Sequence, residues 1–565
     1  MKIREIQTHN YRSIADQTIR LGDYSLLIGA NNSGKSNALD ALRTIYEKEL
    51  KFDPERDLPK FPTADKETWL EIEYELSDDE AGTLKTEYLI GKNRFRIRKW
   101  LYPSDKAKLG LVGYENGKLS DSKFYGFPGV GQGKLGDVIY IPAVSRLEEH
   151  TKLTGPSALR DLINDILKPI IKSSAAFRKL SDDFGAFGKA IKAEETTDKR
   201  SLSGLEEKVN KEIEQWDTAF NLAVVSPQDE DIVKNLIKHT ITDKTLKQEM
   251  ESGAFGHGFQ RHLIYTLIRI ASSYTAPKPE PKKKEFSPEM ELLLFEEPEA
   301  FLHPPQQNVL DTSLRQLASQ PGRQVLAATH SPLFVSYNTD DIVDLVRLRK
   351  SNGKTDVAQI TSDRLKEVFT ENQSVKAIVE AAKKNAAPGT VAADHVEMEA
   401  VRHFLWLNPD RCGLFFAHFV LIVEGMSEQV LTNYLIKTGE LAMPSKGVFV
   451  LDADGKYNVH RFVNLLGEFR IGHAVLHDLD SGKKGEAKAI QDGLNELIKK
   501  SKNDHTLAID TLPDNLEAFL GLAVDEHNRW KKAAATFLAV QKGTVAATKL
   551  DAFEGMIEKL VSSFA

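Results

Sequence analysis

The spacing of apolar residues changes character three times along the chain. Residues 2–8 and 17–21 alternate apolar and polar positions around Asn10-Tyr-Arg-Ser13, the two-residue period of half-buried strands. Residues 68–76, 86–89 and 93–101 repeat that alternation and predict an antiparallel sheet, while residues 110–136 read as a glycine-rich loop. Unbroken apolar runs at 24–28, 138–141, 290–295 and 324–328 predict strands buried on both faces, as in a parallel sheet. From 157 to 243 the period becomes helical, through Leu159, Leu162, Ile166 and Ile170 and later Leu205, Val209, Ile213 and Trp216. This block interrupts the α/β alternation and predicts a helical insertion, either a dimer surface or a plain subdomain. Residues 262–271 predict a helix, 276–285 an exposed Pro- and Lys-rich loop, and 363–384 and 396–407 helices either side of a turn at 385–389. Three further apolar runs, at 419–423, 448–451 and 474–477, each end in an acidic residue and are separated by helix-length gaps. They predict a second parallel sheet with carboxylates along its C-terminal edge.

The first stretch with evident chemistry is Gly29-Ala-Asn-Asn-Ser-Gly-Lys-Ser36, which fits G-x-x-x-x-G-K-[ST] between an apolar strand and a helix-like segment. Gly29 and Gly34 allow backbone N–H groups to turn inward on a polyphosphate at a helix N-terminus. Lys35 pairs with the β- and γ-phosphates and Ser36 offers its hydroxyl to Mg²⁺. The run 290–295 delivers Glu296-Glu297-Pro-Glu299 at its end, where Glu296 suits Mg²⁺ coordination through water and Glu297 suits the base or water-positioning role. The next run ends in Thr329-His330-Ser331, which places His330 beside the γ-phosphate as a sensor. A glycine-rich segment at 251–261, just before a helix, offers a second anion site.

The second stretch lies near the C-terminus. Glu424 ends one apolar run and Glu428 follows four residues later, a spacing that aims two carboxylates at one point on a first helical turn. Asp452 and Asp454 end the next run, Asp478-Leu-Asp480 the third, and Asp514 and Glu517 lie downstream. So many like charges need divalent cations to coexist.

Composition narrows the setting. A chain of 565 residues exceeds one hydrophobic core, so two to four domains are expected. A hydrophobic share of 41% with 28% charged residues, and an N-terminus without a signal-peptide core, predict a cytoplasmic protein with no membrane segment. The one cysteine, Cys412, excludes an internal disulfide and a cysteine zinc cluster. A net charge of −7 leaves any DNA contact to local clusters such as Arg94, Arg96, Arg98 and Lys99, or Lys483, Lys484 and Lys488.

Gly29–Ser36, Gly256-His-Gly-Phe-Gln260, 292–299 and Thr329-His330-Ser331 resemble the Walker A, signature, Walker B with D-loop and His-switch motifs of ABC-type ATPases. Tyr11-Arg-Ser13 is similar to the F-R-S element of the SMC-like branch. Glu296 stands where that family has Asp, and Gly256-His-Gly where it has L-S-G-G, departures that imply slow or regulatory turnover. The resemblance implies an ATP-binding set of Gly29, Asn31, Asn32, Ser33, Gly34, Lys35, Ser36 and Asn37 with Arg12. It also implies two heads sandwiching ATP. Glu424-Gly425 with Asp478-x-Asp480 resembles a Toprim domain. The fusion of the two, with Val423-Glu-Gly-Met-Ser-Glu428 and Asp454-Gly455-Lys456, is similar to the OLD (overcoming lysogenization defect) family of nucleases, the Gabija A-subunits included.

The fold class expected is α/β: an ABC/SMC-like ATPase domain at 1–156 and 244–385, a helical insertion at 157–243 and a Toprim domain at 412–565. The resemblance implies a DNA endonuclease acting through two ions, Mg²⁺ or Mn²⁺, with Glu424, Glu428, Asp478, Asp480 and Glu517 as ligands. Asn515 replaces the Asp of the family's D-L-E. The family's late lysine corresponds to Lys542 first, or to Lys532. A homodimer or homotetramer, a helicase partner and a role in defence against phage DNA are further implications. A repair or structural ATPase with a non-catalytic Toprim scaffold is the rival reading. A primase or topoisomerase ranks below it, for want of zinc ligands.

Overall fold

The structure, a computed structural model, describes the chain apart from residues 47–49, 127–133, 144–162, 164–169, 171–172, 215–217, 223–239, 251, 275–285, 287, 289, 336–339, 373, 383–406, 445, 524–528 and 564–565. The helical spacing through Leu159, Leu162 and Ile166, Trp216, the whole loop at 276–285, the turn at 385–389 and all but the last residue of the helix expected at 396–407 lie outside the described residues. Two compact units result: residues 1–143 with 283–565, and residues 144–282.

Among the described residues the first unit holds three sheets. The predicted antiparallel sheet forms from Lys2–Tyr11, Ile14–Arg20, Thr68–Glu75 and Arg94–Tyr102, extended by Gly110–Glu115 and Lys118–Lys123. That last hairpin falls in the stretch expected to be loop. Leu111 and Val112 are buried there, and paired backbone, rather than turn composition, decided the outcome. Residues 86–88 form a 3-10 turn instead of a strand, leaving only Leu89–Ile90 paired. The basic cluster at 94–98 is a cross-strand ladder: Arg94 meets Glu73, Arg96 meets Glu71 and Glu73, and Arg98 meets Glu71. Lys99 is buried on the carbonyls of Thr44 and Ile45. The three arginines are taken up by the sheet itself, as pairing of opposite charges across strands favours, and Lys99 by the end of the helix Lys35–Tyr46.

The second sheet carries the phosphate-loop strand Tyr24–Ile28, flanked by parallel strands Arg323–Ala328 and Leu345–Ser351. Glu291–Glu296 and Asp137–Ile141 follow on one side and the antiparallel Lys354–Ala358 closes the other edge. The apolar pattern does not predict the hairpin 345–358, since Arg347, Arg349 and Lys350 break it. The third sheet is wholly parallel, ordered Phe449–Asp452, Phe419–Val423, Gly472–Asp478, Thr506–Leu512. Every residue of Phe419–Val423 is buried, as expected of a central strand covered by helices on both faces. The fourth strand of this sheet was also unforeseen, because its residues are mostly half-exposed at the edge.

The second unit holds helices Ala175–Ala193 and Leu202–Ile213, tied by the Lys192–Glu206 ion pair at 2.6 Å, and helix His257–Tyr274. Its small hairpin Ile241–Asp243 with Gln248–Met250 begins inside the stretch expected to be helical.

Candidate functional sites

The nucleotide loop is shaped by what packs beneath it. Gly29 adopts φ +135° and a Cβ there would lie 2.2 Å from the Leu348 carbonyl oxygen. At Gly34, φ +107°, a Cβ would meet Thr355 Oγ1 at 2.3 Å. The two glycines therefore serve the hairpin as well as a phosphate. Thr355 Oγ1 donates to the Ser33 carbonyl at 3.0 Å and shares a hydrogen bond with Ser13 Oγ at 2.7 Å. Lys35 Nζ donates to the carbonyls of Gly29 and Ala30 at 2.9 and 3.0 Å. Burial lowers its pKa to about 8, against the pull of Glu297, Glu299 and Glu296.

A cavity of about 270 Å³ is lined by residues 31–37, Glu296, Glu297, Ala328 and His330. Ser36 Oγ and the Tyr140 hydroxyl both donate to the Glu296 carboxylate, so the hydroxyl and carboxylate expected at Mg²⁺ are neighbours. His330 Nε2 lies 3.8 Å from Glu297 Oε1, and its pKa is lowered by burial first and by Lys35 second. Glu299 Oε1 accepts from the His330 amide at 2.6 Å. Arg12 is not among the lining residues. Its guanidinium is held by Asp57 at 2.8 Å, Asp40 at 2.7 Å and Asn37 at 3.3 Å, so it orders the helix behind the loop.

At the C-terminal edge of the third sheet, strand ends bring the acids together. Glu424 follows Val423, and its Oε2 accepts from the Asp478 amide at 2.9 Å, joining two adjacent strands. Glu428 sits in the first turn of helix Met426–Thr438 with Oε2 accepting from the Gly425 amide at 3.1 Å. Burial raises its pKa to about 7, with further pressure from the charges of Glu424 and Glu517. Asp478 is raised well above the usual carboxylate range by burial and then by Glu428 and Glu424, and its Oδ1 has no hydrogen-bond partner. Glu424 is also raised by burial, with Lys456 opposing.

Two lysines answer this charge. Lys532, on helix Arg529–Gln541, places Nζ 2.8 Å from Glu517 Oε2, and Thr536 Oγ1 donates to Glu517 Oε1 at 3.3 Å. Lys456 hydrogen-bonds Asp480 Oδ2 and lies 4.0 Å from Glu424 Oε2. Lys542, by contrast, is exposed just past the end of the helix that carries Lys532. In the sequence Lys456 reads only as part of the turn Asp454-Gly455-Lys456. Its burial at the acidic edge follows from strand order, which no spacing rule supplies. Among the described residues no three acidic, His or Cys side chains form a ready metal cage. The carboxylates take lysines and backbone amides as partners instead.

Residues 25–336 match the family model described as "AAA domain, putative AbiEii toxin, Type IV TA system", and residues 415–480 match "Overcoming lysogenization defect protein-like, TOPRIM domain". The chain is 23% identical over 545 residues to the Old nuclease of Escherichia phage P2, covering 93% of this chain and 86% of that protein. It is 24% identical over 535 residues to Endonuclease GajA of Bacillus cereus strain VD045, covering 90% and 81% respectively. The chain belongs to this AAA-domain family and carries an OLD-like Toprim domain, and over most of its length it is similar to these two nucleases. The Toprim match contains Glu424, Glu428, Asp478 and Asp480 and ends before Glu517 and Lys532, which the fold pairs with each other at the same edge. A solved SMC head bound to a ScpA winged-helix domain aligns at TM-score 0.36 with 13% identity, covering 65% of this chain and all of that one. Among the described residues no helix is long and apolar enough to cross a membrane.

Proposed function

We propose that this protein is a DNA endonuclease whose cutting depends on Mg²⁺ or Mn²⁺ at the Toprim edge and is regulated by ATP at the loop 29–36. The observation that carries the reading is the junction of Glu424 with Asp478. The Glu424 carboxylate accepts from the Asp478 backbone amide, which sets the two strand ends side by side, and a buried Asp478 side-chain oxygen is left without a hydrogen-bond partner. A buried carboxylate oxygen in that state costs about 1–3 kcal/mol unless something pairs with it, and a cation is the fitting partner. The donor set is all oxygen, as hard divalent ions require: Glu424, Glu428, Asp478, Asp480 and Glu517 would hold a pair of them. Such ions would supply an ionised water and charge neutralisation at the scissile phosphate.

The chain's own groups do the rest. Glu428, buried beside Glu424 and Glu517, is the carboxylate we assign to accept a proton from the attacking water. Lys532, rather than the exposed Lys542, would provide positive charge where the phosphate gains negative charge. At the nucleotide loop, Ser36 and Glu296 would hold Mg²⁺, with Glu297 and His330 facing the γ-phosphate. Slow or regulatory turnover accords with Glu296 standing where the related ATPases carry Asp. We assign the protein to defence against phage or other foreign DNA, acting in the cytoplasm as a homodimer or homotetramer, with a helicase as the partner to look for. The domain boundaries proposed are 1–156 and 244–385 for the ATPase, 157–243 for the insertion and 412–565 for the Toprim domain.

The test is cleavage of supercoiled plasmid with Mg²⁺ or Mn²⁺ by wild type, Asp478→Ala and Lys35→Ala, each with and without ATP. Cutting lost only in Asp478→Ala, and an altered ATP response in Lys35→Ala, are expected. Intact plasmid under all conditions would return the Toprim domain to the rival reading of a scaffold, as relaxation would to a topoisomerase.

A further inference from the structure

Lys456 is buried in the acidic edge and has no part in the chemistry above. It opens the helix Lys456–Glu468 directly after Gly455, whose φ of +102° turns the chain there. The Gly455 amide donates to the Glu424 carbonyl at 2.8 Å. The lysine is thereby tied to the strand end that carries Glu424. Its ammonium reaches across to a different strand end, hydrogen-bonding Asp480 Oδ2 while standing 4.0 Å from Glu424 Oε2, with its side chain 2% exposed. An ammonium that deep is tolerated only with acids beside it, and these two acids are also among the ligands proposed for divalent ions. A single positive charge therefore stands between the same carboxylates that a doubly charged ion would bridge.

We propose that Lys456 is a resident cation. Its ammonium holds Glu424 and Asp480 facing one another until a divalent ion enters, and the ion must displace it from Asp480. The inference rests on the metal reading of the cluster. It makes ion binding at this edge an exchange of cations, so affinity is set partly by what the lysine gives up. Coulomb repulsion between the ammonium and an incoming ion a few ångströms away is large in such surroundings. A neutral residue at 456 then binds the ion more tightly, although it holds the metal-free edge together less well. A lysine that was only structural glue would leave ion affinity unchanged, and one that assisted the ion through its ligands would strengthen it.

The experiment is calorimetric titration of Mn²⁺ into the full chain without nucleotide, for wild type, Lys456→Met, Lys456→Gln and Asp480→Asn. Melting temperature is recorded with and without the ion. Lys456→Gln can still hydrogen-bond Asp480 without charge, and keeps the test open if the methionine variant does not fold. Expected are about tenfold or greater tightening of Mn²⁺ binding in the neutral variants, with a lower melting point in its absence and a larger gain on adding it. Unchanged or weaker binding in a folded neutral variant overturns the inference. If wild type binds no Mn²⁺, or Asp480→Asn binds it as well as wild type does, the metal reading falls and this inference with it.

Discussion

Lys532 Nζ lies 2.8 Å from Glu517 Oε2, joining the helix Arg529–Gln541 to an acid that is 3% exposed at the Toprim edge. Burial alone would weaken that ammonium, but Glu517, Glu428 and Asp478 outweigh it and raise its pKa. A charge fixed beside the reacting phosphate is worth on the order of a hundredfold in rate. Lys532→Met should cut plasmid cleavage by about that factor with Mn²⁺ saturating, whereas Lys542→Met, altering an exposed residue, should stay within about twofold. Equal losses in the two variants would remove Lys532 from the chemistry.

The crowded carboxylates set a pH dependence. Glu428 has a folded pKa of about 7 against an ordinary 4.5, and Asp478 and Glu424 are raised in the same direction. The folded chain therefore holds these protons more tightly than the unfolded one. Their stabilising effect is complete below about pH 4.5 and is lost as pH rises through 7. Without divalent ions, the melting temperature should fall between pH 5.5 and 8, and Glu428→Gln should flatten that slope. A profile identical to wild type in the glutamine variant would place the titration elsewhere.

The nucleotide loop should fail when its glycine is filled. Gly29→Ala forces a Cβ to within 2.2 Å of the Leu348 carbonyl at φ +135°, a strain of about 1–3 kcal/mol or a shifted loop. The thermal shift produced by ATP and Mg²⁺ should disappear in Gly29→Ala. Cleavage measured without nucleotide should survive, since the acidic edge lies on another sheet. An intact ATP shift would mean that the hairpin yields more easily than its packing suggests.

Arg347 links the two halves of the first unit. From the strand beside the phosphate-loop strand, its guanidinium donates to the carbonyls of Phe415 at 3.2 Å, Ala417 at 3.0 Å, and Phe469 and Arg470 at 3.1 and 3.4 Å. Burial lowers its pKa to about 10, and every partner just named is a carbonyl. Arg347→Met should cost about 2–4 kcal/mol in urea unfolding, because four carbonyls lose their donor. It should also weaken any ATP effect on cleavage. A cost below about 0.5 kcal/mol would show that the junction does not depend on this side chain.

Local chemistry made much of this protein readable from its residues in order. The eight residues Gly29–Ser36 carry their function in their spacing, because a phosphate loop is built from consecutive backbone amides. The buried strands 24–28, 290–295 and 419–423 declared themselves by unbroken apolar runs, and each has the acid or loop at its end that chemistry needs. What the linear order could not supply was who stands beside whom. Strand order set Glu424 against Asp478 and brought Lys456 between Glu424 and Asp480. A helix more than a hundred residues downstream of Glu424 brought in Lys532 rather than Lys542. The same holds for the hairpin 345–358, whose charged residues hid its role until Thr355 and Leu348 were found against Gly34 and Gly29. Periodicity reports which face of an element is buried. Partnership between elements far apart in the chain is fixed only when the sheets close, because the Coulomb and hydrogen-bond energies that select it act through space.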